Sequence, residues 1–218
     1  LEEYTLTHLP RPRSKRVTPE AVISLANNPP DDALVGFADG SSIPNPGPCG
    51  AGALLFLPHG AGRGLSAMSL GHGDNTLGQI VVLLRVLTLV DEAYERSLVV
   101  GFPALILFTD SLLVVGALEW GRATTNMPSA IRELLQAYRT RKALNPLALY
   151  WVKGHSDITY NETVDKDAKR GARWSKDGKI ITRTTSDSSD SDKPLCLSLA
   201  QFRLGRRRAS GVSVLMDS

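Results

Sequence analysis

The chain has 218 residues, 42% hydrophobic but only 6% aromatic, with a formal net charge of +3. That is enough for one core-bearing domain built mainly from Leu, Val, Ile and Ala, and it excludes global disorder. The charge leans toward polyanions but is too small to establish a nucleic-acid partner by itself.

Cys49 and Cys196 are the only cysteines. They lie far apart in unlike contexts, which argues against a disulfide framework or a zinc site and for a reducing, intracellular setting, cytoplasmic or nuclear. Arg85 and Asp91 break the most apolar stretch, so no run reaches the roughly 18 residues of a membrane span. A chain beginning at Leu1 reads as a piece of something longer, which leaves the question of a leader open.

Residues 1–32 carry Pro10, Arg11, Pro12, Arg13, Lys15 and Arg16 and read as a largely irregular linker. It contains one short helical turn, from Pro19 to Ala26 behind a Thr18 cap. Ala33 to Ala38 reads as a strand, stopped by Asp39-Gly40 and the turn-rich Pro44 to Pro48. Ala51 to Leu57 and Gly64 to Leu70 follow as two more strands, joined through Pro58-His59-Gly60.

A long helix is expected from about Asn75 to Arg96. Ile80, Leu83, Leu84, Leu87 and Val90 recur at helical spacing, with Arg85, Glu92 and Glu95 outside. Ala104 to Thr109, apolar and short, reads as a buried central strand. Helices over Leu112 to Trp120 and Ser129 to Lys142, a strand over Leu147 to Val152 and a helix over Asn161 to Arg173 complete the pattern. Residues 182–194, Ser-, Thr- and Asp-rich, read as low-complexity chain unable to bury a core.

The expected organisation is therefore a linker over 1–32, a domain over 33–175 and a flexible, low-complexity basic tail over 176–218. The element order implies an α/β fold. A mixed five-stranded sheet, made of a three-stranded antiparallel meander plus parallel strands, is flanked by helices.

On this frame Asp39 ends the first strand, Asp110 ends the fourth, and Asp165 lies in the first turns of the last helix. If the first and fourth strands are neighbours, two carboxylates converge at one sheet edge and the helix adds a third. Clustered carboxylates repel and lose water; a hard divalent cation such as Mg²⁺, which takes oxygen ligands, is the usual reason they persist. Taken singly, each Asp reads more readily as a structural residue, such as a turn residue with a side-chain-to-backbone bond.

The flanking words decide between these readings. Phe37-Ala38-Asp39-Gly40-Ser41 with Asn45-Pro46-Gly47-Pro48 and Gly50-Ala51-Gly52, Thr109-Asp110-Ser111, Trp151-Val152-Lys153-Gly154-His155-Ser156, and Asn161-Glu162 with Asp165 and Ala168-Lys169 resemble the type 1 ribonuclease H family. The blocks occur in the family's order across about two thirds of the chain. The resemblance implies a ribonuclease H-like fold and hydrolysis of the RNA strand of an RNA–DNA hybrid, with two Mg²⁺ ions, or Mn²⁺, held by carboxylates. It makes Asp39, Asp110 and Asp165 the metal ligands and gives His155 a part in proton transfer or product release. It places Ser41, Asn45, Asn75 and Ser111 among the nucleic-acid contacts. Recognition would rest on 2′-hydroxyls and groove shape, with little sequence specificity.

Two departures stand out. Where the family carries a helical glutamate after a Thr-Asn-Asn-x-Ala word, this chain reads Asp74-Asn75-Thr76-Leu77-Gly78-Gln79. A unit charge pair at 4 Å is worth about 4 kcal/mol at an effective dielectric of 20; half of that, lost in the transition state, slows turnover by roughly tenfold or more. Gln79 therefore predicts weakened metal binding and reduced cleavage. Leu112 stands where relatives often carry a polar residue, which puts one substrate contact in doubt.

The stretch between Trp120 and Asn126 leaves no room for the basic substrate-binding loop of some relatives. Arg132, Arg139, Arg141 and Lys142 are the substitute phosphate contacts, or else a solvated helix face. Arg206-Arg207-Arg208, after Arg203, reads as a nucleic-acid tether, a nuclear address or a chance charge run in a tail. The missing handles and ragged flanks resemble domains of retroelement polyproteins, which implies a reverse transcriptase domain as partner in the same polypeptide. The alternative to a nuclease is a disabled domain of the same fold that binds nucleic acid or scaffolds its neighbour.

Overall fold

Side-chain alternation along the short run Ala104–Thr109 shows how the layers form. Leu105 and Leu107 enter one buried cluster, while Ala104, Ile106 and Phe108 enter another, as a strand covered on both faces requires. The structure, a computed structural model, describes residues 17–58, 63–119 and 129–186. The elements in chain order are α1 (Pro19–Asn27), β1 (Ala33–Ser42), β2 (Gly47–Phe56), β3 (Arg63–Gly73), α2 (Asn75–Glu95), β4 (Ala104–Thr109), α3 (Leu112–Leu118), α4 (Ser129–Leu144), β5 (Leu147–Trp151), α5 (Thr159–Lys176) and β6 (Thr182–Ser186).

The strands form one mixed sheet in the order β5-β4-β1-β2-β3-β6. β4 runs parallel to both β1 and β5, and the other pairs are antiparallel. Leu34, Leu105, Leu107 and Leu149 share a cluster with α2, α3 and α4 on one face. Val35, Phe37, Ile106 and Phe108 share the other with Val22 of α1 and Val164 of α5. The expected adjacency of first and fourth strands holds, with Phe37 opposite Phe108 and Ala38 opposite Thr109.

The sheet has six strands, where the sequence pattern predicts five. The sixth, β6, pairs with β3 from Gly64–Ser186 to Met68–Thr182, inside the segment read as flexible chain. Its signal is β-branched Thr182, Thr184 and Thr185 rather than an apolar face. Such residues favour extended backbone, and an edge strand needs ladder partners more than it needs burial.

A second difference explains what holds that edge. Arg85, expected on the outer face of α2, is 3% exposed. Its guanidinium donates to Ser66 Oγ at 3.3 Å, Glu92 Oε1 at 2.6 Å and Thr184 Oγ1 at 3.1 Å, so one side chain ties α2 to β3 and β6.

Part of the expected linker is also packed. Thr18 Oγ1 accepts from Ala21 N and Pro19 occupies the first turn of α1, a favourable start for a helix. Val17, Val22 and Ala26 are buried, and the Tyr160 hydroxyl donates to Asn27 Oδ1. The basic segment 10–16, the link through His59-Gly60, the stretch 120–128 and the cluster Arg206–Arg208 lie outside the described residues. No helix among the described residues is long and apolar enough to cross a membrane.

Candidate active site

The site lies where β4 ends beside β1, which does not stop at Ala38 as expected but runs on to Ser42, held by its ladder with β2. Parallel pairing brings Ala38 beside Thr109, so the residues that follow are neighbours: Asp39, still paired with Gly52 of β2, and Asp110, just past the end of β4. On the other side α2 approaches β1 unusually closely. A Cβ on Gly40 would sit 2.3 Å from Gln79 N, and one on Gly78 would sit 2.9 Å from Gly40 Cα. Only a glycine pair permits that backbone contact, and it carries the side chain of Gln79 over the two acids.

The Gln79 carboxamide joins them. Its Nε2 donates to Asp39 Oδ1 at 2.6 Å and to Asp110 Oδ1 at 3.0 Å, and its Oε1 accepts from Thr109 Oγ1 at 2.9 Å. Asp39 also accepts from Gly40 N at 2.7 Å. Asp39, Gln79 and Thr109 are 5%, 6% and 0% exposed, so these contacts are screened little by water. Burial, then the Asp110 and Asp165 carboxylates, push the Asp39 carboxyl up to about 8. The Asp110 carboxyl is also raised, mainly by burial. Repulsion among acids is the cost this arrangement carries, and the amide offsets part of it.

Asp165 comes from α5, which is seated by another close approach: a Cβ on Gly52 of β2 would lie 2.1 Å from Val164 O. The Asp165 carboxylate is partly exposed and pairs with Lys169 one turn on, at 2.7 Å. Thr109 and Lys169 belong to the family words but carried no expected role. The signal for Thr109 is its place, a polar β-branched residue at the buried end of a strand directly before Asp110.

The loop after β5 flanks the cluster from its far side. Val152 N donates to Thr109 O at 2.9 Å, Trp151 Nε1 donates to Asp110 O at 2.9 Å, and a Cβ on Gly154 would lie 2.9 Å from Asp110 Oδ2. His155 follows, exposed, with a left-handed φ of 52°, and Asp157 repeats that geometry at 59°. The strain of two such residues in one turn marks a loop held in a set shape.

The expected contact residues divide. Asn45 and Asn75 come together at the start of α2, where Asn75 Oδ1 accepts from Ser42 N at 2.6 Å and Asn45 Oδ1 accepts from Asn75 N at 3.2 Å. Ser41 is buried at 7% exposure, and Ser111 Oγ caps α3 by accepting from Val114 N. Of the basic residues on α4, Arg141 is paired with Asp91 and lies over the Tyr94 ring, and Lys142 is paired with Glu119 at 3.2 Å. These two brace the fold, whereas Arg132 and Arg139 are exposed. Leu112 is half exposed at the head of α3.

An all-oxygen donor set of Asp39, Asp110 and Asp165 suits a hard divalent cation, and the raised Asp39 carboxyl is the repulsion such an ion would relieve. The residues therefore fit an ion at the Asp39–Asp110 pair, with one obstacle, the Gln79 amide between them. As they stand, no group of three or more His, Cys, Asp or Glu side chains among the described residues is gathered into a ready metal cage.

Comparison with known proteins agrees with the geometry. The RNase H family model matches residues 31–173. Ribonuclease H of Agrobacterium fabrum (strain C58) is 31% identical over 144 residues, covering 62% of this chain and 91% of that protein. Ribonuclease H of Rhizobium etli is 28% identical over 155 residues, covering 67% and 95%. Among solved structures, the N-terminal RNase H domain of rv2228c from Mycobacterium tuberculosis superposes with a TM-score of 0.53 at 24% identity, covering 67% of this chain and 97% of that one. RNase H1 from Halobacterium salinarum NRC-1 gives 0.51 at 22% identity, covering 65% and 98%. The family model spans well over half of the chain, which belongs to the ribonuclease H family.

Proposed function

We propose that this domain binds RNA–DNA hybrids and hydrolyses their RNA strand with divalent-metal help, at a rate held down by Gln79. The observation that carries the reading is the convergence of Asp39 and Asp110 on a single nitrogen, with Asp165 close enough to raise the proton affinity of Asp39. Three acids gathered where β4 ends beside β1, next to a strained loop bearing a histidine, serve phosphodiester chemistry better than they serve stability.

Asp39 and Asp110 would hold the cation, Mg²⁺ or Mn²⁺, with Asp165 beside it. Once bound, the ion would supply an activated water and neutralise charge on the phosphate. The chain's own groups do the rest. Asn45 and Asn75 present carboxamide NH₂ groups to the sugar–phosphate backbone, and Arg132 and Arg139 offer charge to more distant phosphates. His155, on its fixed turn, moves a proton at the rim or speeds product departure. A polymerase module in the same polypeptide is the partner that the resemblance to retroelement domains implies.

The double hydrogen bond from Gln79 favours a second reading, a domain that holds the hybrid without cutting it. Cleavage of a uniformly labelled RNA–DNA hybrid, with Mg²⁺ and separately with Mn²⁺, separates the two. Slow cleavage by the natural chain is expected, faster by roughly tenfold or more in Gln79→Glu and abolished in Asp110→Asn. Hybrid binding with no cleavage by either the natural chain or Gln79→Glu would overturn the ribonuclease reading and leave the binding module.

A further inference from the structure

We propose that Gln79 is a built-in stand-in for a divalent cation, one that closes the acid cluster in the metal-free protein and must be displaced for an ion to enter. The inference rests on the assignment of Asp39 and Asp110 as the cation-binding pair. An ion between the buried Asp39 and the half-buried Asp110 carboxylates would have to do two things: place positive charge against both oxygens, and stay put. The Gln79 NH₂ does both. It meets Asp39 Oδ1 and Asp110 Oδ1 together, and the bond to whichever acid carries charge is roughly twice as strong as a neutral one.

The orientation of the amide is set by the two acids, which need its NH₂ end, while the Thr109 hydroxyl donates to Oε1. Reversed, the amide oxygen would face two carboxylate oxygens with nothing between them. Withdrawal is blocked as well, since the backbone at Gly78 and Gln79 lies against Gly40 and the side chain is rooted where it stands. Asp165 has its own protein partner, the Lys169 ammonium at 2.7 Å. Each of the three acids thus accepts from a donor this chain supplies.

Thr109 leaves one way out. A hydroxyl donates once and accepts twice, so it can meet either end of the amide. A cation strong enough to turn the NH₂ away would find Oε1, a neutral oxygen ligand, in its place. The site is therefore complete without an ion and costly for an ion to open. A glutamate at position 79 would reverse both properties, because three facing carboxyl groups need a cation, or a retained proton at a cost in stability, to coexist.

The test is thermal unfolding of the full chain as natural protein, Gln79→Glu and Gln79→Met, each in EDTA and in millimolar Mg²⁺. The natural chain is expected to melt at the same temperature in both, within about 1 °C. Gln79→Glu should melt about 5 °C or more below it in EDTA and recover at Mg²⁺ concentrations that leave the natural chain's midpoint unmoved. Gln79→Met removes the donor without adding charge and must also melt lower in EDTA.

Equal melting of Gln79→Glu and the natural chain in EDTA overturns the proposal. So does a Mg²⁺ gain in the natural chain as large as in Gln79→Glu. If Gln79→Glu folds only with Mg²⁺, the proposal stands; if it folds in neither condition, Gln79→Met decides, and equal melting with the natural chain overturns it. Cleavage plays no part in this readout. A Gln79→Glu protein that binds Mg²⁺ and leaves the hybrid intact would remove the ribonuclease reading while leaving the stand-in in place.

Discussion

Asp39 should make the metal-free protein less stable as pH rises, against the habit of carboxylates in folded proteins. Its folded-state carboxyl lies at about 8, raised first by burial and then by Asp110 and Asp165, against 3.8 for an unperturbed aspartate. Between those values the folded protein holds a proton that the unfolded chain has released. Folding then takes up a proton, and stability falls with increasing pH. The contribution is fully present below about pH 4, declines across the window from about 4 to about 8, and is gone above it. One proton's difference gives a slope of at most about 1.4 kcal/mol per pH unit, or a few degrees in midpoint per unit for a chain of this size. Coupling to Asp110 shares the proton and lowers the slope for either group alone. Urea unfolding in EDTA at pH 5, 6, 7 and 8 measures it, with Asp39→Asn as the reference because that side chain cannot titrate. The natural chain should lose stability relative to Asp39→Asn at each step. Parallel profiles for the two proteins would refute the account, and so would a natural chain that gains on Asp39→Asn as pH rises.

Three further outcomes follow from the packing. Gly40→Ala places a methyl 2.3 Å from the Gln79 nitrogen, against backbone that cannot rotate away; a loss of about 1–3 kcal/mol in urea unfolding is expected, together with lost cleavage. Arg85→Met removes the donor to Ser66, Glu92 and Thr184. Hydrogen exchange should then show the β6 amides opening before those of β1 and β4, at an overall stability cost of about 1–3 kcal/mol. Charge removal at Arg132 and Arg139 should weaken hybrid binding and lower the salt dependence by about one unit of slope for each phosphate no longer neutralised. The same change at Arg141 and Lys142 should lower the melting temperature and leave the salt slope alone.

What the sequence carried, and what it did not, sorts by the range of the interaction. Asp39 and Asp110 were legible because each follows an apolar run that forms a strand, and the parallel β1–β4 ladder ends at Ala38–Thr109, just before both, although β1 itself runs on to Ser42. Gln79 was legible as a departure at a known place in a word. Its bridge to both acids was not, because that depends on Gly40 and Gly78 meeting from distant parts of the chain. Arg85 illustrates the opposite error. Helical periodicity puts it outside, yet the face it occupies is covered by β3 and by β6, a strand whose threonines carry no hydrophobic alternation. Lys142 and Arg141 read as free charge because their partners, Glu119 and Asp91, lie on other helices or their ends.

Range also explains how a single amide can reset a site that the family's other words leave intact. The close contacts that shape it, Gly40 on Gly78 and Gly52 on Val164, fix backbone positions whatever occupies position 79. A glutamate there would therefore find its carboxyl group held against Asp39 and Asp110 by a frame unable to relax, and a cation or a retained proton would have to relieve it. Glutamine removes one charge and adds one donor at the same point. The frame that would make a third acid depend on a cation or a proton thus makes the amide self-sufficient. Activity and metal dependence of folding should for this reason move together at position 79, and separately at Asp165, whose partner Lys169 lies within its own helix.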